Sequence, residues 1–112
     1  MSEKITQFKE VADLFPDDPV VRIGLASAYL EAGRTEDAIR EFSETIRLKP
    51  DYTAAHRGLG RALEKAGRIE EARDAYRKGI EVGRAAGDLQ AIKEMEVFLK
   101  RLDRGADRGS SS

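Results

Sequence analysis

Displaced along itself by 34 residues, this chain of 112 residues falls onto its own pattern. Gly24 lands on Gly58, Leu25 on Leu59 and Ala28 on Ala62. Ala32, Gly33 and Arg34 land on Ala66, Gly67 and Arg68, and Glu36, Ala38 and Ile46 land on Glu70, Ala72 and Ile80. These nine identities join 19–52 to 53–86, and conservative pairs such as Phe42 with Tyr76 and Leu48 with Val82 fill the gaps. The register also runs backward, with Phe42 over Phe8, Leu48 over Leu14, Pro50 over Pro16 and Asp51 over Asp17. Residues 3–18 therefore read as the second half of a preceding unit.

Within each unit the apolar residues recur at helical spacing. Leu25, Ala28, Tyr29 and Ala32 form one amphipathic face, repeated by Leu59, Ala62, Leu63 and Ala66. A second face follows in each, through Ala38, Phe42 and Ile46 and through Ala72, Tyr76 and Ile80. Gly33 and Gly67 suit the left-handed residue that ends a helix. Pro16 and Pro50 stop the second helices, because the residue before a proline disfavours helical geometry. Asp18 with Pro19, Thr35 and Thr53 are candidate helix openers. Six helices are expected: 3–15, 20–32, 36–48, 54–66, 70–86 and 88–103, the last capped by Asp88. A glycine inside a helix costs about 1 kcal/mol relative to alanine, so Gly24, Gly58, Gly60 and Gly79 each need a packing reason. Close approach of paired helices, with Phe42 and Tyr76 as knobs between them, supplies one.

Composition narrows the functional classes. Charged residues make up 37 % of the chain, yet the net charge is −1, which argues against a general nucleic-acid binder. There is no cysteine, so disulfides, thiolate metal sites and thiol nucleophiles are excluded. No stretch approaches the roughly 18 apolar residues of a membrane helix, and the first ten residues show no secretory pattern. A cytoplasmic location is expected.

The segment running through Gly24-Leu25-Ala26, Tyr29, Gly33, Ala38, Phe42 and Pro50, echoed by Leu59-Gly60, Gly67, Ala72 and Tyr76, resembles the tetratricopeptide repeat. The resemblance covers residues 4 to 86. It departs where the family's early tryptophan is Arg22 or His56, where its late tyrosine is Leu63, and where its closing proline is Arg84. It implies an all-α solenoid of antiparallel helix pairs in one domain, residues 1–104: a half repeat (3–18), two full repeats (19–52 and 53–86) and a capping helix (88–103). A disordered tail is expected over 105–112.

The same resemblance implies a protein-interaction module that binds a partner segment in its concave groove. The positions it assigns to that groove are Val20, Ile23, Ser27, Leu30 and Glu31, then Ala54, Arg57, Arg61, Glu64 and Lys65. Arg57, Arg61 and Lys65 stand at i, i+4 and i+8, a stripe on one helix face that suits an acidic protein or peptide. The alternative is a solvated face balanced by nearby glutamates. The family's clamp for chaperone C-terminal carboxylates is absent, since its places hold Ile23, Ser27 and Gly58. His56, the single histidine, has no convergent partners for catalysis or metal binding and is expected to pack as an aromatic. No cofactor and no enzymatic activity are expected. A second reading is self-association, monomer giving way to a weak homo-oligomer, through the apolar helix carrying Ile5, Phe8 and Phe15 or through the end helix.

Overall fold

The computed structural model describes the backbone of residues 3–110 and the side chains of residues 3–105. These fold as six helices: α1 (Glu3–Leu14), α2 (Pro19–Glu31), α3 (Thr35–Leu48), α4 (Thr53–Lys65), α5 (Ile69–Ala86) and α6 (Leu89–Ser110). Consecutive helices pack on one another, α1 on α2 through to α5 on α6, and the first helices α2, α4 and α6 also touch in series. The result is elongated, 49 × 33 × 19 Å, as stacking in one direction requires. There is no strand among the described residues, and no helix long and apolar enough to cross a membrane.

The turns follow the local chemistry with two corrections. Gly33 and Gly67 take φ of 78° and 76°, the left-handed region expected of them, and Gly87 does the same at 72°. Asp18 caps α2 by accepting the Val20 N–H at 2.9 Å, and Asp88 accepts the Ala91 N–H at 3.2 Å. Thr35 and Thr53 do not cap; the capping positions are Arg34 and Tyr52, and neither contributes a side-chain bond. Thr53 is instead buried. Asp18→Ala is therefore expected to cost about 1 kcal/mol, with Thr35→Ala nearly neutral; urea midpoints distinguish the two. α6 runs on to Ser110 where a disordered tail was expected from Gly105. No proline interrupts that segment, and extending an existing helix needs no new nucleus. Residues 111–112 of the expected tail lie outside the described residues.

Gly24, Gly58, Gly60 and Gly79 are each a socket for a ring or a sulfur atom rather than for a second backbone. A Cβ on Gly58 would stand 2.8 Å from Phe42 Cδ1, and one on Gly24 would stand 2.9 Å from Phe8 Cδ1. Both are contacts from a second helix to the first helix of the next unit. On Gly60 a Cβ would meet Tyr76 Cδ1 at 2.6 Å, and on Gly79 it would meet Met95 Sδ at 2.5 Å and His56 Cβ at 3.0 Å. The core divides accordingly. One cluster joins Ile5, Leu25, Tyr29 and Phe42; the other joins Leu63, Tyr76, Ile80 and Met95. Arg73, buried under α6, donates from Nη2 to the Leu102 carbonyl at 3.0 Å. Its Nε lies 3.2 Å from Asp103 Oδ1 but is aligned with no acceptor. On the solvent side, hydrogen bonds from Arg40, Arg47 and Arg68 hold the Asp37, Glu44 and Glu71 carboxyls below their ordinary values.

Candidate functional site

Between α2 and α4 the stacked first helices leave an open cavity of about 460 Å³. Its α2 wall carries Ile23, Ser27, Leu30 and Glu31, its α4 wall carries Ala54, Arg57, Arg61 and Lys65, and Phe42 closes its floor over Gly58. Eight of the ten positions assigned to the groove from sequence thus come together. Val20 and Glu64 do not line it. Val20 is 65 % exposed at the start of α2. Glu64 sits in a smaller recess of about 170 Å³ with Arg61, Lys65, Phe98 and Arg101.

Two of the three cations of the basic stripe are engaged by α6 rather than by their own helix. Arg57 Nη1 reaches Glu94 of α6 at 3.4 Å, with both side chains about one-third exposed. Arg61 lies over the Phe98 ring, its guanidinium carbon 5.6 Å from the centroid, and Arg101 covers the same ring at 5.3 Å. Lys65 has no ion-pair partner among the described residues. Glu64, expected in the groove wall, accepts from the Tyr76 hydroxyl and pairs with Arg101. Burial, reinforced by that carboxylate, raises the Tyr76 phenol above its ordinary range, which keeps it a donor. Sequence reasoning missed Glu94, Phe98 and Arg101. Their signal was the charged and aromatic side of α6, which the 34-residue register does not reach.

His56 is 4 % exposed, with Nε2 2.8 Å from the Pro50 carbonyl. It ties α4 to the preceding turn, as the packing reading required. The expected self-association residues separate. Ile5 is buried at 1 %, and Phe8 is partly buried, wedged against Gly24 of α2. Phe15 is exposed, together with Val11 and Leu14.

Residues 23–90 match the family model for the tetratricopeptide repeat. Over 88 residues the chain is 40 % identical to a TPR repeat-containing protein of Pseudomonas aeruginosa, a match covering 79 % of this chain and 84 % of that one. Among solved structures, a Bordetella parapertussis protein superposes with a TM-score of 0.82 at 28 % identity, over 94 % of this chain and 91 % of the other. The Sgt2 TPR domain of Aspergillus fumigatus superposes at 0.83 with 25 % identity, over 96 % and 69 %.

Proposed function

The chain belongs to the tetratricopeptide repeat family, a fold of protein-interaction modules, and we propose that it binds an acidic peptide segment in the groove between α2 and α4. The observation that carries this reading is the pairing of opposite walls. Ile23 and Leu30 offer half-buried apolar surface on one side, and Arg57, Arg61 and Lys65 offer three cations on the other. An extended segment with carboxylates on one edge and an apolar side chain on the other fits that division. The Arg57–Glu94 pair is long and partly solvated. Such pairs contribute little, so a ligand carboxylate can replace Glu94.

The test is fluorescence anisotropy against a library of labelled acidic peptides that carry single apolar residues. Arg57→Glu with Arg61→Glu should weaken binding at least tenfold, since each charge-assisted bond contributes about 1.5–3 kcal/mol. Binding should also fall with added salt. Unchanged binding by a variant with intact helicity would sink the groove reading.

A further inference from the structure

Among the described residues, six of the seven large apolar side chains left exposed lie at the two ends of the fold: Val11, Leu14, Phe15 and Val20 at one, Leu89 and Val97 at the other. The helix order explains the arrangement. Among the described residues α1 is a second helix without a first, and α6 is a first helix without a second. We propose that the two ends are halves of one joint, and that α6 of one copy of this chain pairs with α1 of the next.

Contacts inside the chain define what each face is for. α1 aligns with α5 at an offset of 68, two repeat lengths, so Val11 stands where Gly79 does and Phe15 where Gly83 does. Gly79 and Gly83 stand between α6 and α4: Met95 and Ile92 of α6 lie nearest, followed by His56 and Thr53 on the first helix of the same pair. From helix start to helix start, α6 aligns with α4 at an offset of 36, so Leu89 stands where Thr53 does and Ile92 where His56 does. Thr53 is 6 % exposed beneath α5, whereas Leu89 is 68 % exposed. Carrying the α4–α5 contacts across the joint sets Phe15 of one copy against Leu89 of the next, while Ile92, 9 % exposed, stays packed on Gly83 of its own chain. Val20 takes the place of Ala54, which looks back toward α2 from the groove wall. In the joint it looks back toward the α6 of its neighbour, on the side where Val97 is exposed.

Charge adds to the match. A cleft of about 360 Å³ between α5 and α6, floored by Ile80 and Leu99, is rimmed by Arg77, Glu96 and Asp103 and by a further pair of cations, Arg84 and Lys100. Neither has an ion-pair partner among the described residues. The matching stretch of α1 and the turn after it carry Glu10, Asp13 and Asp17, which form no ion pair among the described residues, although Glu10 and Asp13 share a recess with Lys9 and Arg34 of their own chain. The joint is heterologous, so each added copy leaves the same two faces open and growth is head-to-tail. Two positions loosen it: Glu96 replaces the Gly60 socket, and Lys4 replaces the small Ala38. Association is therefore weak and driven by concentration.

Sedimentation velocity on the whole chain over a range of concentrations tests this. The weight-average mass should rise above 12.4 kDa with concentration and fall back with salt. Phe15→Asp and Leu89→Asp, both surface changes that leave helicity intact, should each hold the protein at monomer mass. Mixed together, the two variants should form a 1:1 dimer and stop, because the α6 face of the first and the α1 face of the second are unaltered. A monomer at every concentration would overturn the proposal. So would a wild-type oligomer lost with one variant and unaffected by the other, which is the behaviour of a symmetric joint.

Discussion

Phe42→Ala is expected to lower the free energy of unfolding by about 3–5 kcal/mol, the usual cost of truncating a buried aromatic. That is a large share of the roughly 5–15 kcal/mol that stabilises a domain of this kind. Phe42 is 2 % exposed and belongs to both repeats at once. It grows from α3, and its ring occupies the Gly58 socket on α4. Its loss therefore opens the joint between repeats rather than one helix pair.

The matching change on the other wall has a sign that helix propensity alone would get wrong. Gly→Ala inside an exposed helix stabilises by roughly 0.5–1 kcal/mol. At Gly58 the new methyl would lie within 2.8 Å of Phe42 Cδ1, and overpacking of that kind costs about 1–3 kcal/mol. Gly58→Ala should thus destabilise the protein. Combined with Phe42→Leu, which shortens the knob, it should become neutral or stabilising. A double-mutant cycle from urea denaturation should show coupling above about 1 kcal/mol. A Gly58→Ala protein more stable than the parent would show that the ring is not held in the socket.

What the sequence disclosed, and what it hid, divides along the repeat. The 34-residue register places the helices from α1 to α5, and it assembles the α2 and α4 walls of the groove, because equivalent positions in a stacked array face equivalent neighbours. It also marks Gly24, Gly58, Gly60 and Gly79 as residues with a packing reason. Amphipathic spacing shows that α1 has an apolar face but not which part of it α2 covers. Ile5 and Phe8 were therefore expected beside Phe15 at a surface that Phe15 shares instead with Val11 and Leu14. Thr35 looks like a cap on residue type alone, yet the chain enters α3 one residue earlier, at Arg34. The partners of the basic stripe were hidden for a different reason. α5 has 18 residues where α3 has 14, so α6 drops out of register. No period then announces that Glu94, Phe98 and Arg101 return to Arg57, Arg61 and Glu64.

That return makes Met95→Asp the more informative of the large perturbations. Met95 is fully buried, with its sulfur against Gly79. Truncating such a side chain to alanine costs about 2–5 kcal/mol, and a carboxylate left there without a partner costs more. The loss need not unfold the whole chain. α6 packs on α5 and α4 alone, and solenoid stability is close to a sum over neighbouring units. Hydrogen exchange should accordingly show protection lost along α6 and weakened in α5, with α2 and α3 still protected. Equal loss across all six helices would instead mark a single cooperative unit. The detached helix takes Glu94 and Phe98 away from Arg57 and Arg61 but leaves both groove walls standing. Acidic-peptide binding should therefore survive Met95→Asp or tighten, while head-to-tail assembly disappears with the α6 face. If peptide binding disappears as well while α2 and α4 remain protected, α6 holds the cations in their binding geometry rather than competing for them.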